Sequence, residues 1–332
     1  MNKPISKRRI SVWLKLIIAF ILLGVGFAGG FKLYEKGNEA GCFPLEDDIV
    51  PVEIIPFRAD HLQVIVLGDT GTGNEDQLKV ADGMAKVCDQ AGCDFVLLLG
   101  DNFYPNGVKS ILDKQFYTKF EQVYNKIKKP FFAVLGNHDV KQNAFMQIMY
   151  SLRSDYWRMP NYEYSFETAQ ARFYGLNTNC PFSFERLRNK LNRDDAELKA
   201  NADKLPWTIA FGHHSVYSNG THGDTDVITR NYWNWILDGR IDLYLAGHNH
   251  HLSLLQYGET STEYVISGAG GAHYRTNSER EKLNKSEASS VFTYNDTGFV
   301  WLDIRIEKLL IRFHDSTGNI LYEFTKTREI LL

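Results

Sequence analysis

Five short apolar runs, each stopped by a glycine and then a cluster of polar or metal-binding residues, constrain this chain more than anything else in it. Leu62–Leu67 ends in Gly68-Asp69-Thr70-Gly71, and Phe95–Leu99 in Gly100-Asp101-Asn102-Phe103-Tyr104. Phe131–Leu135 ends in Gly136-Asn137-His138-Asp139, Thr208–Phe211 in Gly212-His213-His214, and Ile241–Ala246 in Gly247-His248-Asn249-His250. Runs this short and this continuously apolar predict strands covered on both faces. Stretches with helical spacing lie between them; Leu112, Phe116, Phe120 and Val123 mark one such face. Strand and helix in alternation predict an α/β domain. In open α/β sheets, ligands bind beyond the carboxyl ends of the strands, so five strand ends deliver carboxylate, phenol, amide and imidazole to one region.

The texture changes towards the end. Glu263–Ser267, Gly298–Ile304, Leu309–His314 and Ile320–Thr325 predict strands, with a hairpin turn at Ser316-Thr317-Gly318-Asn319. The sheet is therefore expected to finish antiparallel. Of the 332 residues, 44% are hydrophobic, enough for one large domain over residues 61–332. The formal net charge is −3 and no basic stripe is present, which argues against nucleic acid as a partner.

The first residues are different material. A basic tail (residues 1–11, with Lys3, Lys7, Arg8 and Arg9) precedes an apolar segment (12–31), which is uncharged from Leu16 to Phe31. A membrane span needs about 17–25 residues, so this segment is just long enough, and the basic flank puts the bulk of the chain outside the cytoplasm. A signal anchor and a cleaved signal peptide both fit. The length of the run and the lack of an A-x-A site favour the anchor. The product is then membrane-anchored with its main domain extracytoplasmic, or secreted if cleaved. Residues 32–60, polar with Pro44, Pro51 and Pro56, read as a linker and an edge segment.

The four cysteines are Cys42, Cys88, Cys93 and Cys180. Outside the cytoplasm they can pair, and Cys88 with Cys93 can bridge locally; small buried residues are the other reading, and sequence does not set the connectivity. Asn219, Asn284 and Asn295 begin N-x-S/T sequons.

In order and wording the motifs resemble the metallophosphoesterase (calcineurin-like) superfamily. Within it they are most similar to the small, animal-type (tartrate-resistant) purple acid phosphatases. The resemblance runs from about Leu62 to the C-terminus and includes GDNFYPNGV, the Gln147/Tyr150/Trp157 stretch, YVISGAGG and DSTGNILYEF. It implies a four-layer sandwich of two mixed sheets flanked by helices, with two metals at the edge between the sheets. Carried over residue by residue, the first metal takes Asp69, Asp101, Tyr104 and His250. The second takes Asp101 as a bridge, with Asn137, His213 and His248. Three anionic oxygen ligands suit a hard Fe(III); the second, mostly neutral set suits a divalent Fe, Zn or Mn. His248 and His250 are two apart and so share one side of an extended turn, leaving Asn249 and His251 to point elsewhere.

The implied reaction is hydrolysis of phosphate monoesters by direct attack of a metal-activated hydroxide. His138 matches the histidine that contacts phosphate and protonates the leaving alcohol. Asp139 is expected to orient its ring, and His222 matches a second substrate-binding histidine.

Blander roles compete. Asp69 and Asp101 fit helix N-caps. Tyr104 fits a core aromatic, His222 a solvated loop residue, His214 either a support behind the ligands or a structural residue, and His61, His251, His273 and His314 structural histidines. Two departures stand out. Thr70 replaces a usual tryptophan, and the charged stretch between Thr178 and Trp207 leaves a regulatory loop in question. The rival functions are a generic dimetal phosphodiesterase or nucleotidase, and a non-catalytic surface protein that binds phosphorylated ligands. The oligomeric state has no sequence signal.

Overall fold

The computed structural model describes residues 42, 49–52, 60–180, 182–200, 206–273 and 285–328. Among these described residues, fifteen strands form two mixed sheets. The first has seven strands. Its parallel half is β2 (Leu62–Leu67), β3 (Phe95–Leu98), β4 (Phe131–Ala133) and β5 (Trp157–Arg158). On the other side of β2, β13 (Gly298–Ile304), β14 (Lys308–Asp315) and β15 (Ile320–Thr327) follow antiparallel.

The second sheet has eight strands. Parallel strands β7 (Ala171–Gly175), β8 (Trp207–Phe211), β9 (Leu243–Ala246) and β11 (Glu263–Ser267) form its centre. β10 (Leu252–Gln256) and β12 (Ser289–Tyr294) extend it antiparallel on one side. On the other lie β6 (Tyr164–Glu167) and a two-residue β1 (Val50–Pro51), which runs parallel to β6.

The continuously apolar runs follow from burial on both sides. In β2, Leu62, Val64 and Val66 join Phe95, Leu97, Phe173, Ile209 and Phe211 between the sheets. Ile65 and Leu67 face outward onto Val80, Met84 and Val87 of helix α1 (Glu75–Ala91). Each such side chain adds about 1.5–3 kcal/mol when fully buried. A short helix α2 (Phe145–Tyr150) lies beyond the turn after β4. On the far face of the second sheet sit α3 (Ser183–Ala200) and α4 (Val227–Leu237). Phe184 stacks on Trp233 with ring centroids 4.0 Å apart. Helix, sheet, sheet and helix make four layers.

The structure alters several expectations. Leu112 is 70% exposed, because Asp113 caps the turn that follows; only Phe116, Phe120 and Val123 are buried, on a helical turn that loosens into a π-helical one at Tyr117–Glu121. The antiparallel finish holds for β13–β15, but Glu263–Ser267 pairs in the other sheet. The charged stretch between Thr178 and Trp207 carries helix α3. Two disulfides use all four cysteines, Cys88–Cys93 closing the end of α1 and Cys42–Cys180 reaching back from the N-terminal side. Asn219 is 7% exposed, and its amide bonds Thr293 Oγ1 at 2.7 Å, so this sequon is closed in the folded chain. Asn284 and the apolar segment 12–31 lie outside the described residues; among those described, no helix is long and apolar enough to cross a membrane.

Candidate dinuclear metal centre

The five strand ends meet at one edge of the seam between the sheets. Their turns are tight. Asp69, Asp101 and His248 all hold positive φ (58°, 53° and 66°). Such a conformation costs about 1–3 kcal/mol in a non-glycine residue and concentrates at functional sites. Close approach explains two glycines: a Cβ on Gly100 would press on the Gly136 backbone and the His213 ring, and one on Gly136 would run into the Asp101 carboxylate.

One group of donors gathers around Asp69. Tyr104 Oη donates to Asp69 Oδ1 at 2.8 Å and lies 3.2 Å from His250 Nε2, which is itself 3.4 Å from Asp69 Oδ1. The His248 amide donates to Asp69 Oδ2 at 2.8 Å. A second group surrounds Asn137: its Oδ1 lies 2.9 Å from His213 Nε2 and 3.1 Å from His248 Nδ1, and those two nitrogens are 3.2 Å apart. Asp101 stands between the groups. Its Oδ1 is 3.6 Å from His213 Nε2 and accepts the His138 amide at 2.8 Å.

The donor set fits metal ions. The His213 Nδ1–H donates to Leu99 O at 2.9 Å, so in the neutral ring the Nε2 lone pair faces the carbonyl oxygen of Asn137, and only a proton or a metal ion between the two acceptors relieves the contact. Asp69 and Asp101 are buried, and every ion-pair partner recorded for them is an imidazole. A buried carboxylate pair without a fixed cation is costly. Burial opposes charge on His213, yet Asp101 and Asp69 outweigh it and raise its pKa. The cavity therefore favours positive charge. Carboxylate, phenol, amide and imidazole donors suit one hard ion beside Asp69 and a softer one beside His213.

The flanking histidines sit at the mouth. His138 Nδ1 lies 2.6 Å from Pro105 O, its Nε2 is 3.9 Å from Asp101 Oδ2, and its ring lies against Tyr104 with centroids 4.5 Å apart. The Lys141 ammonium lies 3.0 Å from Nδ1. The His222 ring stacks on His248 at 4.3 Å, and its amide donates to Asn249 Oδ1 at 3.0 Å. Burial and His250 lower the His222 pKa. Asn249 and His251 face away from the centre, as two-residue alternation predicts. The Asn249 side-chain amide reaches Ser215, and His251 Nε2 pairs with Asn219 Oδ1.

Asp139 is a correction. It does not touch the His138 ring. Its carboxylate accepts the amides of Gly136, Asn102 and Phe103 and the Gln147 side chain, at 2.8–3.1 Å. Burial and Asp101 push it up to about 7, against those donors. It braces the turns after β3 and β4 against each other, and Pro105 O holds the histidine instead. Sequence reading also passed over Thr178, whose hydroxyl accepts the amides of His213 at 3.1 Å and His214 at 2.9 Å. It lies just past β7, a strand that no apolar run announced.

Two mixed sheets flanked by helices, with a two-centred donor set where their strand ends meet, define a metal-dependent phosphoesterase. The chain belongs to the calcineurin-like phosphoesterase family, which residues 62–252 match. It is 29% identical over 303 residues to purple acid phosphatase 17 of Arabidopsis thaliana, covering 84% of this chain and 88% of that protein. It is 28% identical over 310 residues to human tartrate-resistant acid phosphatase type 5, covering 83% and 95%. It is thus a relative of the purple acid phosphatases, of plants and animals alike. Among solved structures, GAP50, the anchor in the inner membrane complex of Plasmodium, superposes with a TM-score of 0.67 at 22% identity, covering 81% of this chain and 90% of that one. A purple acid phosphatase from yellow lupin seeds superposes at 0.64 with 18% identity, covering 83% and 55%.

Proposed function

We propose that the protein is a purple-type acid phosphatase that hydrolyses phosphate monoesters at an Fe(III)–divalent centre. The observation that carries this reading is Tyr104. Its hydroxyl lies against Asp69 and His250, where burial, Asp69 and Asp101 push its pKa far above the ordinary phenol range. Ionisation there needs a strongly charged cation in place of the proton. Asp69, Asp101, Tyr104 and His250 would hold the Fe(III); Asp101, Asn137, His213 and His248 would hold Fe, Zn or Mn in the divalent state. When bound, the pair supplies Lewis-acid charge neutralisation and lowers the pKa of water.

The rest is the work of side chains. With Nδ1–H given to Pro105 O, the His138 ring turns Nε2 towards the site. Protonated, Nε2–H is transferred to the leaving alkoxide oxygen as the P–O bond breaks, and the alcohol departs neutral. His222, backed by His248, holds a phosphoryl oxygen from the other side of the mouth. The chain covers most of the two acid phosphatases above but only 55% of the lupin enzyme, which supports the small subgroup.

The two disulfides support an oxidising compartment. With the apolar segment 12–31, they support an extracytoplasmic domain anchored to a membrane. The test is the visible spectrum of iron-loaded protein beside Tyr104→Phe. A charge-transfer band lost in the variant, with iron retained, is expected. Iron-loaded wild type without a visible band sinks the purple assignment.

A further inference from the structure

We propose that His214 is a catalytic hydrogen-bond donor to the phosphoryl group, a neutral imidazole locked in its Nε2–H form by Thr178. This rests on the phosphatase reading of the same site.

The argument is a count of hydrogens. Thr178 Oγ1 lies 3.1 Å from the His213 amide nitrogen, 2.9 Å from the His214 amide nitrogen and 2.9 Å from His214 Nδ1. A hydroxyl has two lone pairs and one hydrogen. Both backbone N–H groups can only donate, so they fill the two lone pairs. The hydroxyl hydrogen is left for Nδ1, which accepts it rather than donating to the nearby Thr178 carbonyl, because that donation would strand the hydroxyl hydrogen. The imidazole proton then sits on Nε2. The reverse arrangement would load three donors onto one oxygen and strand the hydroxyl hydrogen of a residue only 7% exposed.

The ring carrying that Nε2–H belongs to the centre. It lies 4.7 Å from the His248 ring and 5.0 Å from that of His213, centroid to centroid. A ring nitrogen of His214 falls within 4.8 Å of nitrogens of both. By position alone it looks like a third ligand beside His213 and His248. The tautomer rules that out: a nitrogen bearing a hydrogen has no lone pair for a metal. The cluster therefore holds two ligands and one donor. Among the described residues Nε2–H has no protein partner, and the ring is only half-buried, so the donor is free for an oxyanion. A non-bridging oxygen of a tetrahedral phosphoryl group at the seam is the chemistry it fits. Negative charge on that oxygen strengthens such a bond.

The test uses full-length protein loaded with zinc, with orthophosphate as the probe. His214→Phe is expected to weaken orthophosphate binding by about 10–100-fold, the worth of a hydrogen bond to a charged group. His214→Gln, which keeps an N–H near the position of Nε2, should recover most of it. Thr178→Val should weaken binding less, and Thr178→Ser, which restores the hydroxyl, should recover most of that loss. Metal content should match wild type throughout. Long-range 1H–15N correlation on histidine-labelled wild type should show the Nε2–H form at His214.

An Nδ1–H signature overturns the proposal, as does loss of an ion in His214→Phe, which would make the residue a ligand. Unchanged phosphate affinity in His214→Phe, in an enzyme that still hydrolyses monoesters, overturns the donor role and leaves the phosphatase reading intact. A wild type that hydrolyses no monoester, but whose phosphate affinity falls in His214→Phe, overturns the phosphatase reading and keeps the donor.

Discussion

The two sheets bring different chemistry to their common edge. The seven-stranded sheet supplies the oxygen donors, Asp69, Asp101, Tyr104 and Asn137, which all follow its parallel strands, along with His138 at the mouth. The eight-stranded sheet supplies nitrogen, in His213, His214, His222, His248 and His250. Each half also fixes the other's donors. The His248 amide holds Asp69 Oδ2 at 2.8 Å, and Leu99 O holds His213 Nδ1 at 2.9 Å. Neither half is a metal site by itself. One has buried carboxylates without fixed cations, and the other has lone pairs crowded together. The centre is a staple across the seam, and its two ends should fail in different ways.

The most severe test of that comparison is the shared residue. Asp101→Asn keeps the shape and tolerates the positive φ, but removes the charge proposed to bridge the two ions. Phosphatase activity should fall to background, with both ions lost on dialysis; a variant retaining two ions and turnover would show that Asp101 bridges nothing.

His138→Ala comes next, expected to lower kcat by about 10²–10⁴-fold on alkyl phosphates. The loss should shrink for nitrophenyl phosphate, whose leaving group needs no proton. Equal losses on both would make His138 a phosphate holder and no acid.

Asn137→Ala separates the two ends. The proposed division gives Asn137 only to the ion beside His213 and His248, so mild chelation should strip that ion first while the one beside Asp69 stays. Simultaneous loss of both, followed by elemental analysis, would reject the division.

Removing all metal should cost stability, because the staple binds only the folded seam. At free metal of about 100 times Kd each site adds roughly 2.7 kcal/mol, or about 5–10 °C in Tm for a domain this size. Calorimetry of apo and loaded protein reads this directly, and identical midpoints would mean that no ion binds the folded seam in preference to the unfolded chain.

The smallest effect is expected at Asn249→Ala. It releases the amide of His222 without touching a ligand. KM should rise roughly fivefold, about one hydrogen bond's worth, with metal content unchanged.

The strand-end motifs were legible because they are local. A short apolar run, a glycine and a polar or metal-binding cluster mark a strand end locally, and five of them in order left little freedom. The alternation in His248-Asn249-His250-His251 was legible for the same reason. What sequence missed depended on distant neighbours. Asp139 sits beside His138 in the chain, but the backbone amides of Asn102 and Phe103, from another strand end, claim its carboxylate. The partner of Cys42 lies 138 residues away, and nothing local marks it. β6, β7, β10 and β12 mix polar with apolar residues, so no run announced them. Thr178 went unnoticed because β7 did.

The central claim, that the seam closes on two ions of different kind, is tested most directly by elemental analysis of protein purified from its native cells. The account predicts two metal ions per chain, one of them iron and the other exchangeable under mild chelation. A single ion per chain, or two that leave together, would contradict it.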